Sequence, residues 1–287
     1  MRFDPALPDE RVNVSDTHHV REAFVLVAGI TAAGAALSFV LVLAIDLLIP
    51  LIPQGIEARV FGGAWVGAAL EAADDDGSPD PRARAVAALL ARIASHWPDA
   101  PYTFRAVLLD EATPNAMAFP GGTIVVTTGL LDRVGSENEL AFVLGHELGH
   151  FEHRDHLRGL GRALAFGLTL RALGWGSDGG AAQLAALSGE LAGRGFDRDQ
   201  EADADAFGLE LLMREYGHVG GATDFFGRLS DPGDTASEAI AHYFATHPLN
   251  AERVEALRSL ASERGWSAAG TLVAIPLDRD RADPDQP

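Results

Sequence analysis

The chain contains no cysteine and no lysine. Without cysteine it has neither disulfides nor thiolate metal sites, so any metal ion must be held by histidine, aspartate or glutamate. Its 22 basic residues are all arginine and are outnumbered by 41 acidic residues, which gives a net charge of −19. A surface this acidic repels nucleic acid and anionic lipid headgroups, so we expect no nucleic acid partner.

One segment departs from this charged composition. Phe24 to Ile45 contains no charged residue, and the apolar run continues to Ile52 past Asp46. Because about 20 apolar residues suffice to cross a bilayer as a helix, the segment predicts a single transmembrane anchor that contacts the lipid bilayer. Arg2, Arg11 and Arg21 precede the span, whereas only Arg59 lies near its far end. The positive-inside rule then predicts a cytoplasmic N-terminus and an extracytoplasmic main domain.

Composition divides the chain into five regions. We expect a short tail at 1–22, the anchor at 23–53, a Pro/Gly/acid-rich linker at 54–81, a folded domain at 82–275 and a disordered acidic tail at 276–287. The folded domain is predicted to be α+β, mainly helical with a small sheet. Its strands are expected at 102–109 and 119–131, and Ser136 with Glu139 forms a capping box that begins a helix.

That helix carries His146-Glu147-Leu148-Gly149-His150, an H-E-x-x-H motif. Histidines at positions i and i+4 of a helix lie on one face, so both imidazoles can reach the same ion. Glu147 projects beside them, where a general base would act on a water molecule. The motif therefore predicts a catalytic zinc site with His146 and His150 as two of its ligands.

A catalytic zinc ion needs a third protein ligand. His156 follows at the offset that metzincins use, but no helix breaker follows His150 in this sequence. On a continued helix His156 would lie about 9 Å beyond His150 and on another face. We therefore exclude His156 as a ligand.

The acid-rich segment "RDQEADADAFGLELL" (198–212) supplies another candidate. On a helical wheel Glu201 and Asp205 share the apolar stripe, whereas the segment's other acids, Asp199, Asp203 and Glu210, face the opposite side. A buried carboxylate needs a cation or a strong donor. Glu201 as the third zinc ligand, with Asp205 accepting the outer N–H of a ligand histidine, meets that need. The alternative is that both acids pair with a buried arginine.

Four segments together resemble a known family: "NAMAFPGGTIVVTTGLL", "ELAFVLGHELGHFEHRD", "DRDQEADADAFGLELL" and "THPLNAERVEAL". The chain resembles the membrane-associated zinc metalloendopeptidases related to HtpX, Oma1 and the CAAX prenyl proteases, and is most similar to their singly anchored members. The resemblance implies a zincin-like (gluzincin) domain with one Zn²⁺ per chain, and Glu201 as the third ligand.

The resemblance also places the segment around His247 at the active site. We expect His247 to donate to the developing oxyanion with support from Arg253, and His242 and Tyr243 remain alternatives for that donor. The resemblance further puts the strand after two glycines beside the zinc helix. We predict that it is an exposed edge strand that pairs with an extended substrate through Gly121, Gly122, Thr123, Ile124 and Val125. Gly145 and Gly149 would let this strand approach the helix closely; alternatively, they are merely tolerated within the helix.

These observations predict a membrane-anchored zinc endopeptidase that hydrolyses peptide bonds in unfolded or misfolded proteins, a role in protein quality control. The alternative is a non-catalytic, zinc-stabilised membrane adaptor that binds unfolded chains. Glu147 favours the enzyme, because a binding module needs no general base beside its metal. A secreted thermolysin-like enzyme is disfavoured by the anchor.

Overall fold

A computed structural model of the chain describes residues 18–53, 55–57, 80–173, 197–224, 247 and 251–275. Most of the expected tail and linker, the whole acidic tail at 276–287, His242 and Tyr243 lie outside the described residues.

The N-terminal helix α1 (His19–Leu48) is followed by a 3₁₀ turn (Ile49–Leu51). Within the described residues it is the one helix long and apolar enough to cross a membrane. Large apolar side chains such as Phe24, Phe39 and Leu47 are about 70% exposed around it. A helix that is apolar on all its faces lacks the polar side that a surface helix of a soluble domain would present to water.

Helix α2 (Pro81–Ser95) opens the folded domain. The Asp80 side chain accepts a hydrogen bond from the Arg82 N–H, and Pro81 occupies the first turn, where its missing N–H costs nothing. The helix buries Val86, Leu89, Leu90 and Ile93, which recur at helical spacing.

Three described strands form one small sheet: β1 (Arg105–Leu109), β2 (Ala116–Phe119) and β3 (Thr123–Thr127). β3 lies in the middle, parallel to β1 and antiparallel to β2. The prediction that residues 123–127 form an exposed edge strand is therefore wrong: both sides of β3 are hydrogen-bonded to neighbours, and every residue of it is buried. Gly121 and Gly122 form the tight β2–β3 connection with φ angles of 94° and 92°, which favour glycine.

After the short helix α3 (Thr128–Leu131) comes α4 (Glu137–Glu152), which carries the H-E-x-x-H motif. Its N-cap is the predicted Ser136, whose hydroxyl accepts from the Glu139 N–H. The premise that no helix break follows His150 is wrong. Arg154 adopts the left-handed conformation with φ 60°, and a new helix, α5 (Asp155–Ala172), begins after it.

Helix α6 (Arg198–Tyr216) packs along α4, and α7 (Ala251–Glu263) packs on α6. A predicted cap begins α6: the Asp197 side chain accepts from the Gln200 N–H, and the Gln200 side chain accepts from the Asp197 N–H. Gly145 and Gly149 face Gly208 and Ala204 of α6, so the expectation that these glycines accommodate a strand is wrong. They let two helices approach instead.

Candidate metal centre

Helix α4 places both histidines of the motif in the core, facing one point. His146 is 2% exposed and His150 is fully buried. Their Nε2 atoms lie 3.2 Å apart, as two imidazoles one helical turn apart can when they converge on a shared partner.

Helix α6 brings Glu201 to the same point. Its Oε1 lies 3.5 Å from His150 Nε2, and its Oε2 lies 3.6 Å from His146 Nε2. Glu201 and Asp205 are buried whereas Asp199 and Asp203 are exposed, which confirms the division of the acids that the helical wheel predicts. The inward side of α6 is thus the side that carries the candidate ligand.

His247 completes the group. Its Nδ1 lies 3.1 Å from His146 Nε2 and 3.1 Å from Glu201 Oε1, and its Nε2 lies 3.5 Å from Glu147 Oε1. The structure therefore brings His247 into contact with two candidate ligands and with the candidate base. The role of His247 as a donor to the oxyanion stays a prediction.

The geometry of this group fits a metal ion. One ligand atom from each of His146, His150, Glu201 and His247 lies within 4.8 Å of all the others, and all four residues are buried. Tetrahedral zinc with bonds of about 2.0–2.1 Å holds its ligand atoms about 3.3–3.4 Å apart. The two histidine Nε2 atoms lie 3.2 Å apart, and each has a different oxygen of Glu201 within 3.5–3.6 Å, so the separations are close to that value.

Carboxylates hold the outer nitrogen of each motif histidine. Asp205 Oδ1 lies 2.9 Å from His146 Nδ1, and Asp155 Oδ2 lies 3.1 Å from His150 Nδ1. An Nδ1–H that donates to a carboxylate leaves the Nε2 lone pair free to bind a metal.

Asp155 was not predicted from the sequence. It lies beyond the end of α4, where helical phase gives no information, and its one sequence signal is its position as an acid five residues after His150. Gln200 and Arg158 donate to its other oxygen at 2.6 and 3.0 Å.

Arg253 of α7 binds both inward acids of α6. Its Nε and Nη2 donate to Asp205 at 2.8 Å each, and its Nη1 lies 2.5 Å from Glu201 Oε2. The sequence predicts that Arg253 supports His247. In the described contacts Arg253 binds the carboxylates of Glu201 and Asp205. The alternative pairing of these acids with a buried arginine exists in the structure alongside the histidine contacts.

These contacts set the charges of the site. Burial raises the pKa of the Glu201 and Asp205 carboxyls, but the neighbouring histidines, together with Arg253 at Asp205, outweigh it and hold both pKa values below their usual range. Burial lowers the pKa of His146. Burial also disfavours charge on His150, but the hydrogen bonds with Asp155 and Glu201 raise its pKa to about 9, so a cation that binds Nε2 must displace a proton from it. The acids therefore remain ionised and able to bind a cation.

Glu147 is fully buried, and within the described part of the chain neither of its carboxylate oxygens has a hydrogen-bond partner. A buried carboxylate without a donor is costly, so such a group indicates a site that another molecule completes. A general base that acts on bound water needs this arrangement.

Other predicted residues lie elsewhere. Gly121 to Val125 form the β2–β3 turn and most of the central strand. His156 is buried, but its Nε2 lies 2.5 Å from Glu57 Oε1, and it is not part of the candidate ligand group.

A family model described as peptidase family M48 matches residues 79–261. A β-barrel assembly-enhancing protease of Yersinia pestis is 31% identical over 174 residues, 56% of this chain and 35% of the relative. The mitochondrial metalloendopeptidase OMA1 of Arabidopsis thaliana is 31% identical over 156 residues, 54% of this chain and 31% of the relative. The chain thus spans about a third of the length of these two proteins. The protease HtpX of Legionella pneumophila is 27% identical over 283 residues, 83% of this chain and 98% of the relative.

Proposed function

The chain belongs to peptidase family M48, and we propose that it is a membrane-anchored zinc endopeptidase that cuts unfolded or misfolded polypeptides. One observation carries this proposal. The side chains of His146, His150 and Glu201 converge on a single buried point, and Glu147 lies beside it with neither oxygen hydrogen-bonded among the described residues.

Zinc suits this donor set. Two imidazoles and one carboxylate are a ligand combination of catalytic zinc sites, in which a fourth position stays open. We assign His146, His150 and Glu201 as the ligands and Asp205 and Asp155 as the groups that orient the histidines. His247 as a fourth ligand would close the site, so we assign it as a donor to the oxyanion that develops on the scissile carbonyl.

A zinc ion held by these residues would supply Lewis-acid chemistry. Glu147 accepts a proton from the attacking water on its carboxylate and delivers it to the leaving amine nitrogen. Burial keeps water away from the charged groups, which strengthens their interaction with the reacting atoms.

An extended substrate needs a sheet edge, and β3 is not one. Among the described strands β2 (Ala116–Phe119) is an edge, and it packs against α4. We propose that β2 pairs with the substrate backbone, because backbone hydrogen bonds give affinity with little sequence preference. This suits unfolded chains, and the name of the Yersinia relative, an assembly-enhancing protease, supports a role in protein quality control.

We further propose that residues 23–53 anchor the enzyme in the membrane and that residues 82–275 form the peptidase domain. The arginines before the span favour a cytoplasmic N-terminus and an extracytoplasmic peptidase domain.

The test compares Glu147→Gln with Glu152→Gln in the full chain purified in detergent. Both changes remove one charge from α4, but Glu147 is fully buried at the site and Glu152 is exposed. We expect Glu147→Gln to slow hydrolysis of unfolded casein by about 10²–10⁴-fold with one zinc ion still bound, because a general base contributes about that factor. Glu152→Gln should act like the parent, and a zinc chelator should stop both.

Casein hydrolysis that survives Glu147→Gln would overturn the assigned mechanism. A folded parent chain that binds one zinc ion and binds casein without cutting it would favour the adaptor.

A further inference from the structure

A second buried polar cluster lies beside the metal centre and contains none of its candidate ligands. We call it the Glu57 cluster: Glu57, Tyr102, Arg154 and His156. The Tyr102 hydroxyl donates to Glu57 Oε2 at 2.6 Å, and His156 Nε2 lies 2.5 Å from Glu57 Oε1. The Gly121 N–H also donates to Oε1 at 3.4 Å, and Arg154 Nη2 lies 3.6 Å from Oε2.

Glu57 belongs to the segment that directly follows the apolar helix α1, yet it is only 2% exposed. Burial raises the pKa of its carboxyl, but the hydrogen bond and charge of His156 outweigh this and hold the pKa below its usual value. An ionised side chain in this position is stabilised by several donors at once, and losing it would leave those donors buried and unpaired.

Arg154 connects the cluster to the end of the apolar helix. Its Nη1 donates to the carbonyl oxygens of Ile49 and Ile52 at 2.8 and 2.7 Å. It does so from a left-handed backbone conformation with φ 60°, which is unfavourable for a residue other than glycine. Surrounding contacts must hold this conformation, and those of Arg154 lead to the segment after α1.

Asp155 connects the same turn to the metal centre. Arg154 and His156 belong to the Glu57 cluster. Asp155, which lies between them in the sequence, accepts a hydrogen bond from His150 Nδ1 at 3.1 Å. The contact that orients a candidate ligand is therefore built on a turn whose two flanking residues are held by residues 49–57, at the end of the anchor and just after it.

We propose that Glu57 is a positioning residue of the metal centre: by fixing Arg154 and His156 it sets Asp155 against His150, so that the end of the anchor helps to build the site. This inference rests on the proposed zinc ligands. It implies that a metallopeptidase domain separated from residues 49–57 lacks part of the support of its metal centre.

The experiment uses the full chain in detergent with Glu57→Ala, Glu57→Gln and the control Glu263→Gln, which changes an exposed glutamate at the end of α7. Zinc affinity is measured by competition with a chromophoric chelator. The visible spectrum of the cobalt-loaded protein reports ligand geometry, and thermal unfolding reports the fold. We expect Glu57→Ala to weaken zinc binding by about 10–100-fold and to change the cobalt spectrum, as losses of ligand-orienting groups do.

We expect a smaller effect of Glu57→Gln, which keeps an acceptor oxygen for Tyr102, and no effect of Glu263→Gln. Zinc affinity within twofold of the parent and an unchanged cobalt spectrum would overturn the proposal, even with a lower melting temperature. If Glu57→Ala does not fold, Glu57→Gln decides by the same criteria. A parent chain that binds no zinc would instead overturn the proposed function itself.

Discussion

At the scale of single residues, the imidazole of His146 lies between the candidate metal point and Asp205. The carboxylate of Asp205 accepts from Nδ1 on one side and from the Arg253 guanidinium on the other. It thereby fixes both the ring orientation and the nitrogen that carries the proton. Because Arg253 also contacts Glu201, a change at Asp205 alters the surroundings of two candidate ligands.

The change Asp205→Ala should therefore weaken zinc binding by about 10–100-fold, the usual effect of removing a group that orients a ligand histidine. Asp203→Ala is the matched control, since Asp203 lies on the same helix but faces water. Competition with a chromophoric chelator measures both. Equal zinc affinity in the two variants would show that Asp205 does not hold His146 for the metal.

The sequence could predict those parts of the metal centre that depend on the spacing of residues along a single helix. The spacing of His146 and His150 and the inward position of Glu201 and Asp205 follow from 3.6 residues per turn. Asp155 and Glu57 could not be found this way. The first lies beyond an unforeseen break at Arg154, and the second reaches the site through tertiary contacts with residues 45 and 99 positions away.

At the scale of elements, the metal centre depends on how closely α4 and α6 approach. A Cβ atom on Gly149 would lie 2.7 Å from the Ala204 Cα atom, and one on Gly145 would lie 3.0 Å from the Gly208 Cα atom. These neighbours are backbone atoms, which cannot move aside as a flexible side chain can. Glycine here sets the distance from the motif histidines on α4 to Glu201 on α6.

We expect Gly149→Ala to push α6 away, to lower stability by about 1–3 kcal/mol as overpacked cores do, and to weaken zinc binding. Gly159→Ala is the control: a Cβ there meets nothing within 4 Å, and alanine favours helix by about 1 kcal/mol over glycine. Thermal unfolding and chelator competition measure both variants. A Gly149→Ala protein as stable as the control, with parental zinc affinity, would contradict this account.

The order of the strands in the sheet could not be predicted from the local sequence pattern. The composition of Thr123–Thr127 correctly indicates a strand, but a β-branched run is typical of a buried strand as much as of an edge. Only the pairing with both β1 and β2 makes β3 central, and that pairing depends on a parallel connection from β1 that sequence periodicity does not reveal.

At the scale of the whole molecule, the apolar helix α1 packs on α5, the helix that follows the metal-site turn. The Ser38 hydroxyl of α1 donates to Thr169 Oγ1 of α5 at 2.9 Å. Arg162 Nη2 of α5 lies 3.5 Å from Asp46 Oδ1 of α1. With Arg154 bound at its end, α1 is attached to the folded domain along one side. In the proposed membrane-anchored enzyme, the orientation of α1 across the bilayer would therefore also set the compartment that the metal centre faces.

The absence of native cysteine makes that orientation directly measurable, because a single introduced cysteine is the only thiol in the chain. Two serines are suitable positions for this cysteine. Ser15 precedes the apolar helix and is outside the described residues, and Ser262 is exposed on α7. With the arginines before the span in the cytoplasm, we expect a membrane-impermeant maleimide to label Ser262→Cys in intact cells.

Ser15→Cys should react only after the membrane is permeabilised. The reverse pattern would place the peptidase domain in the cytoplasm. Labelling of both sites in intact cells, or of neither, would mean that the helix does not cross the membrane.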